Sequence, residues 1–173
     1  MEQNEHGHIA VMPAQVLAML SPKPGEAVLD CTIGRGGHAA ELIPLLGPGG
    51  RYVGLDLDED NVAYARQRLT PLAQVAGVEL SVEHANFQDA RAVLDGLGVG
   101  RVEGLVADLG FASTQVEDPA RGLSFTQSGP LDMRLNPQQA LTAAELVNTL
   151  PERELADLIY QYGQEPLSRR IAR

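Results

Sequence analysis

The chain has 173 residues, of which 44% are hydrophobic and 21% are charged, and its net charge is −10. This composition indicates a globular protein, and the acidic balance excludes general nucleic-acid binding through a basic face. A single cysteine, an acidic N-terminus and no apolar run of about 18–20 residues predict a cytoplasmic protein without membrane association.

Helical and strand patterns alternate along the first 110 residues with short links between them, which predicts a parallel sheet covered by helices. Helices are expected at residues 9–20, 38–46, 59–69 and 91–97, and strands at 27–32, 51–58, 78–84 and 102–110. The segment 111–137 has no clear period, which is typical of a functional or disordered loop. Further helices are expected at 142–150, 151–163 and from 165 onwards.

A glycine loop follows the first predicted strand and opens the next helix. Gly34, Gly36 and Ala39 satisfy a loose G-x-G-x-x-G/A pattern, which is a weak signal for an adenosine cofactor. Because ligands of parallel sheets lie beyond the carboxyl ends of the strands, further residues at those ends are candidates. Asp56 could bind a ribose, Phe87 could cover an adenine with Asp89 close by, and Asp108 ends the fourth strand. Asp30 is expected to face the ligand, which disfavours a pyrophosphate and favours the sulfonium of S-adenosylmethionine.

Each of these residues also has a plainer interpretation. Asp56 could belong to the acidic first turn of a helix, and Phe87 could be ordinary core. Cys31 lies in a strand pattern and is interpreted as core rather than as a nucleophile. The pair His6 and His8 is not interpreted as a ligand set, so no metal site is predicted.

Seven segments resemble, in order, the bacterial small-subunit rRNA cytosine-N4 methyltransferases of the MraW type. They are HIAVMPAQVL, DCTIGRGGH, GLDLDEDNVAYA, NFQD, DLGFASTQVEDPARGLSF, GPLDMR and LTAAELVNTLPERELADLIYQYGQE. The resemblance covers nearly the whole chain, and GPLDMR and the DLG segment are long and chemically unusual. It implies an α/β class I S-adenosylmethionine-dependent methyltransferase fold, Rossmann-like, with the start of an inserted helical domain. The implied domains are 1–137, which binds cofactor, and 138–173, which begins the helical domain.

The resemblance also implies the reaction and the residues that serve it. The reaction is methyl transfer to the N4 amine of a decoding-region cytidine in 16S rRNA of the small ribosomal subunit. The implied cofactor residues are Gly36, Gly37, His38, Asp56, Phe87, Asp108 and Gln115, of which His38 and Gln115 come from the resemblance alone. Asp108 is the first candidate to accept the amine hydrogen bonds, and Asp132 is the second. Arg134, Arg169 and Arg170 are candidates to contact RNA, although Arg134 could instead pair with Asp132 and GPLDMR could be a structured loop.

The sequence departs from the family at a few positions and in length. Ala10 stands where the family usually has Pro, and Phe111, Ala112 and Thr114 differ around Gln115. Family members continue well beyond the equivalent of residue 173, so the chain is expected to lack the rest of the helical domain and the last strands. A non-catalytic relative that binds cofactor or a protein partner and, less favoured, half of a nicotinamide-dependent dehydrogenase are the alternatives. Association into a homo-oligomer is left open.

Overall fold

The computed structural model describes residues 10–173, without the side chains of residues 113 and 114. These residues form two compact units that meet in sequence between residues 112 and 113. The first unit contains, in chain order, α1 (Pro13–Leu20), β1 (Ala27–Asp30), α2 (Gly37–Leu46), β2 (Arg51–Asp56), α3 (Glu59–Ala76), β3 (Glu79–His84), a 3-10 turn (Phe87–Asp89), α4 (Ala90–Gly96) and β4 (Gly104–Val106).

The four strands form one parallel sheet in the order β3-β2-β1-β4. Asp30 of β1 aligns with Val106 of β4. Asp56 of β2 aligns with His84 of β3. β1 therefore lies in the middle of the sheet, with β2 and β3 added on one side of it and β4 on the other. Sheets of this kind bind ligands at such a switch in strand order, which here lies between β1 and β4. The predicted fold class is confirmed: the unit is a Rossmann-like sheet of the class I methyltransferase type.

Apolar side chains cover both faces of this sheet. On one face Leu42 and Ile43 of α2 and Leu69 of α3 pack over β1 and β2, and all three are fully buried. On the other face Leu55 and Leu94 belong to a smaller cluster. Every residue of β1 is buried, as expected for a continuous apolar strand in a parallel sheet.

Several element boundaries differ from those predicted. β1 ends at Asp30 rather than at residue 32, because the Asp30 carboxylate accepts a hydrogen bond from the backbone N–H of Thr32 and turns the chain. α3 runs to Ala76 rather than 69, since buried Ala73 continues the stripe of Leu69 one turn further. β4 pairs only over Gly104–Val106.

The second unit contains short helices and loops. Its elements are α5 (Ser113–Val116), a 3-10 turn (Pro119–Arg121), α6 (Ala143–Thr149), α7 (Glu152–Gly163) and α8 (Ser168–Ile171). The aperiodic segment 111–137 thus contains α5 and the 3-10 turn but is otherwise irregular, and the three later helices were predicted. The division between the two units lies before residue 113; the functional domain limit at 137/138 stays a prediction. Within residues 10–173, no helix is long and apolar enough to span a membrane.

Candidate cofactor site

The residues that the sequence predicts for the first unit meet at the carboxyl edge of its sheet. Asp30 and Asp56 end β1 and β2, Phe87 lies in the turn after β3, and Asp108 stands two residues beyond β4. Since the strands are parallel, these ends lie on the same side of the sheet. The topology therefore brings together side chains that are up to 78 positions apart in sequence.

The three glycines of the loop are needed for different reasons. Gly34 and Gly36 have φ values of +52° and +77°, which glycine adopts without strain. A Cβ on Gly36 would come within 2.9 Å of the Leu69 side chain, and one on Gly37 would lie 3.0 Å from the Cβ of Ala10. Protein packing thus requires glycine at positions 36 and 37, and their part in cofactor binding stays a prediction. A Cβ on Gly34 would have no neighbouring atom nearer than 3.9 Å, so the space beside Gly34 is open.

Asp56 connects the glycine loop to β2. One carboxylate oxygen accepts the backbone N–H of Gly34 and the other accepts that of Asp58, each at 2.8 Å. Burial raises the pKa of Asp56, although these two hydrogen bonds oppose the shift. Asp56 does not belong to the acidic first turn of α3, since that turn contains Glu59 and Asp60 and is capped by Asp58, which accepts the N–H of Asp60 at 3.1 Å. A carboxylate has about four acceptor positions, so Asp56 can still accept hydroxyl groups.

Asp30 is not directed at a ligand, contrary to the expectation from the sequence. It is 1% exposed, and its carboxylate accepts the Tyr52 hydroxyl at 2.8 Å and the Thr32 N–H at 3.1 Å. Burial is the main reason that the pKa of Asp30 rises to about 6, and the charges of Asp56 and Asp108 raise it further. Asp30 is therefore part of a buried network beneath the edge, where three carboxyl groups influence one another.

Asp108 and His38 lie at the same open cleft. The His38 Nε2 is 4.0 Å from an Asp108 carboxylate oxygen, and the His38 side chain is largely buried while that of Asp108 is exposed. The cleft has a volume of about 300 Å³ and is otherwise lined by residues of α1, of the segment before it and of β4. His38, one of the two positions that came from the family resemblance alone, is thus adjacent to Asp108, which was derived from the strand pattern.

Phe87 and Cys31 occupy environments that differ from the plainer interpretations. Phe87 is 47% exposed, so it is not a core residue and its ring is available at the edge of the sheet. Cys31 follows β1 and is only partly buried against the smaller apolar cluster. Burial raises the pKa of the Cys31 thiol, which disfavours the thiolate that a nucleophile needs.

The remaining predicted site residues lie in the second unit. Gln115 is buried, and Asp132 and Arg134 form an ion pair at 2.7 Å. Each guanidinium nitrogen of Arg134 donates within this unit: Nε and Nη2 to Asp132, and Nη1 to the carbonyls of residues 137 and 139. The hydrogen bond from Arg134 lowers the pKa of Asp132, which makes its carboxylate a weaker base.

The arginines of α8 are exposed, and Arg169 donates to Asp157 at 3.0 Å. Arg170 is exposed on the same short helix. The catalytic role of Asp132, the cofactor role of Gln115 and the RNA contacts of Arg134, Arg169 and Arg170 stay predictions. The contacts of GPLDMR within the unit are those of a structured loop, as the plainer interpretation holds.

Three residues that the sequence analysis did not select also shape the site. Tyr52 lies in an apolar strand, and Thr32 and Arg35 lie in a loop noted for its glycines. Arg35 packs its guanidinium 4.9 Å from the centre of the Tyr64 ring, so it contacts α3. No pattern in the sequence pairs these residues with their partners, because each contact depends on the register between elements.

The described residues at the carboxyl edge of the sheet combine negative charge with hydrogen-bond acceptors. Within residues 10–173 no three His, Cys, Asp or Glu side chains are grouped to hold a metal ion; His6 and His8 lie outside the described residues. Carboxyl groups at three neighbouring strand ends attract positive charge and repel phosphate. The acceptor at Asp56 and the exposed ring of Phe87 suit a ribose and an adenine. These residues fit a cationic adenosine cofactor better than a dinucleotide.

Comparison with known proteins gives one family match that covers nearly the whole chain. The family model described as "MraW methylase family" matches residues 5–173. Two similar curated proteins are both named Ribosomal RNA small subunit methyltransferase H. The protein from Sorangium cellulosum is 45% identical over 166 residues, and that from Desulforapulum autotrophicum is 44% identical over 166 residues.

The alignments cover nearly all of this chain but only about half of each relative. The alignments include 96% of this chain but only 51% and 52% of the two relatives. The chain thus spans about half the length of the curated relatives that it matches. Among solved structures, the C-terminal domain of precorrin-6Y C5,15-methyltransferase from Rhodobacter capsulatus is 19% identical with a TM-score of 0.46, covering 65% of this chain and 59% of that one.

Proposed function

We propose, from the premise that the chain belongs to the MraW methylase family, that it provides the cofactor-binding part of an rRNA methyltransferase. The family membership confirms the resemblance described above and, with it, S-adenosyl-L-methionine as the cofactor. The substrate we propose is the small-subunit rRNA, because the curated relatives carry that substrate in their names. The finer assignment is the N4 amine of a decoding-region cytidine in 16S rRNA.

The observation that carries this proposal is the cluster of carboxyl groups at the edge of the sheet. Asp30, Asp56 and Asp108 come from the ends of three different strands, and their charges are close enough to raise the pKa of Asp30 together with burial. A sulfonium and an α-ammonium group are favourable beside such a cluster, and the pyrophosphate of NAD is not. The same cluster counts against the dehydrogenase alternative.

Within this function the residues of the first unit have distinct tasks. Asp56 accepts the ribose hydroxyls, Phe87 covers the adenine, and the loop of Gly36 and Gly37 leads into His38. When bound, the cofactor supplies an electrophilic methyl group on its sulfonium. The carboxylate of Asp108 accepts hydrogen bonds from the target amine, which localises the nitrogen lone pair and orients it for in-line attack.

The residues of the second unit complete the proposal. Gln115 contributes to cofactor binding, and Asp132 is the second candidate for the amine acceptor. Arg134, Arg169 and Arg170 contact the RNA phosphates, and Arg134 and Arg169 do so in competition with Asp132 and Asp157. This part of the chain then begins a substrate domain, and the cytoplasmic location and self-association stay predictions.

Binding and transfer are tested in two steps. Calorimetric titration of the whole chain with S-adenosylmethionine should show saturable binding, with NAD as the negative control. Asp56→Asn should weaken this binding by about tenfold or more, since a charge-assisted hydrogen bond contributes about 1.5–3 kcal/mol. Asp95→Asn, which alters an exposed carboxylate paired with Arg91, should leave it unchanged. Binding of NAD in preference to S-adenosylmethionine would contradict the proposal.

Methyl transfer is measured from labelled cofactor to isolated small ribosomal subunits. Label should appear in the small-subunit rRNA, and nuclease digestion followed by mass analysis should place it on cytidine N4. Asp108→Ala should reduce turnover by at least about a hundredfold, the loss typical when a hydrogen-bonding group that stabilises a transition state is removed. Cofactor binding without transfer would instead support the alternative of a non-catalytic relative.

A further inference from the structure

A chain of hydrogen bonds connects three neighbouring strands, β2, β1 and β4, and ends at Asp108. The Tyr52 hydroxyl donates to one Asp30 oxygen at 2.8 Å, and the backbone N–H of Thr32 donates to the other at 3.1 Å. The hydroxyl of Thr32 in turn accepts the backbone N–H of Asp108 at 2.8 Å. The network thus runs from β2, through the end of β1, to the residue beyond β4.

The inner half of this network is fully buried, and its outer half opens to the cleft. Tyr52 is 0% and Asp30 is 1% exposed, whereas Asp108 is an exposed residue. Buried polar groups of this kind are paired because an unpaired one costs about 1–3 kcal/mol. The core therefore fixes the positions of Tyr52 and Asp30. Because the Thr32 N–H donates to Asp30, the position of the turn at Thr32 is fixed as well.

Asp108 needs such support because the sheet does not hold it. The β4 pairing ends at Val106, whose carbonyl accepts the N–H of Cys31 at 2.8 Å. Two residues later the Thr32 hydroxyl is the acceptor for the backbone of Asp108, and from there the carboxylate reaches to 4.0 Å from His38 Nε2. A side chain of the turn after β1 thus holds the backbone of a residue that carries a candidate functional carboxylate.

We infer that Thr32 is a positioning residue that aims Asp108 into the site, with the buried Tyr52–Asp30 pair holding Thr32 in place. This inference rests on the proposed function, in which Asp108 belongs to the carboxyl cluster that favours the cationic cofactor and accepts hydrogen bonds from the target amine. The Thr32 hydroxyl acts through its geometry and contacts no reacting atom. This support of Thr32 also explains why the Tyr52–Asp30 pair is buried within an otherwise apolar part of the sheet.

The test is a double-mutant cycle on cofactor affinity, measured by calorimetry on the whole chain. Thr32→Val keeps the shape of the side chain but removes the acceptor, and it should weaken S-adenosylmethionine binding by about fivefold, as expected for one hydrogen bond. Thr32→Ser keeps the hydroxyl and should stay within about twofold of the unsubstituted chain. In the Asp108→Ala background, Thr32→Val should have less than about a twofold further effect, since the carboxylate it aims is absent.

A second variant acts from the far end of the network. Tyr52→Phe removes the donor to Asp30, and it should weaken binding less than Thr32→Val while showing the same dependence on Asp108. Thermal unfolding of each variant measures the stability loss separately from affinity. This variant also serves as the test if Thr32→Val does not fold.

The outcomes separate this inference from the proposed function. Equal affinity of Thr32→Val and the unsubstituted chain would overturn the inference and leave the function intact. An equal weakening with and without the Asp108 side chain would also overturn it, because the hydroxyl would then act on the loop alone. Absence of S-adenosylmethionine binding by the unsubstituted chain would overturn the proposed function, and the inference with it.

Discussion

The two units of this protein are stabilised in different ways. In the first unit, apolar side chains on both faces of the sheet are buried, including Ala27, Val28 and Leu29 of β1. In the second unit many large apolar side chains are exposed; they include Phe125, Leu141, Tyr160, Tyr162 and Ile171. The order of the second unit therefore depends more on polar and backbone contacts than on a buried core.

Those polar contacts are concentrated around the GPLDMR segment and the start of α6. Arg134 connects Asp132 to two carbonyls, and the backbone N–H groups of Ala143 and Ala144 donate to the carbonyls of Asp132 and Leu131, each at 2.8 Å. The backbones also approach closely, since a Cβ on Gly122 would lie 1.8 Å from the carbonyl oxygen of residue 130. Chain segments held in this way are specified by a few directional contacts rather than by hydrophobic pattern.

The largest expected effect tests the difference between the units directly. Leu69→Ala removes a 0% exposed side chain of α3 and should destabilise the first unit by about 2–5 kcal/mol. Leu158→Ala alters a 38% exposed residue of α7 and should change stability by no more than about 0.5 kcal/mol. Native-state hydrogen exchange at β2 and α7 amides measures both. Similar losses in the two units would contradict the comparison.

A buried carboxylate should make the first unit sensitive to pH. The pKa of Asp30 is about 6 in the fold, against an ordinary value of 3.8. The folded state therefore binds the proton that the unfolded state has released, so stability falls as pH rises from about 4 to 6, by about 3 kcal/mol in all. Urea denaturation between pH 4 and 7 should show this fall, and Asp30→Asn should reduce it.

The control for this prediction is an exposed carboxylate in the same unit. Asp95→Asn should leave the pH dependence of stability as it is in the unsubstituted chain, because the Asp95 side chain is 54% exposed. Parallel stability curves for the unsubstituted chain and Asp30→Asn would show that Asp30 does not contribute to the fall.

The smallest effect is expected from Arg134→Lys in the second unit. Lysine keeps the charge but loses the planar fork that binds Asp132 with two donors. The amides of Ala143 and Ala144 should exchange faster, while the amides of β2 should be unaffected. Arg153→Lys is the matched control, since its pairing with Asp157 is exposed and 4.0 Å long. Unchanged exchange in Arg134→Lys would mean that the polar contacts contribute little to this unit.

The same difference explains how much the sequence predicts. In the first unit the apolar periodicity and the turn signals predict each strand and helix, and the parallel topology then places Asp56, Phe87 and Asp108 at one edge. The buried pair of Tyr52 and Asp30 could not be predicted, because it depends on which residues of β1 and β2 face each other. Asp30 was accordingly expected to face the ligand.

In the second unit the sequence predicts helices but not their arrangement. The capping box of Thr142 and Glu145 is visible as a motif, and the structure contains it. The pairing of Asp132 with Arg134 was one of two stated possibilities, and a motif alone does not choose between an internal partner and RNA. Loop contacts of this kind depend on directional geometry that leaves no periodic signal.

The buried tyrosine of β2 also has an optical consequence. The chain contains no tryptophan, so its near-ultraviolet absorbance comes mainly from four tyrosines. Burial, together with the adjacent Asp30, raises the pKa of Tyr52 well above its ordinary value. In alkaline solution Tyr52 should therefore form its phenolate only when the sheet opens. The slow phase of the phenolate absorbance change would record that opening without any attached dye.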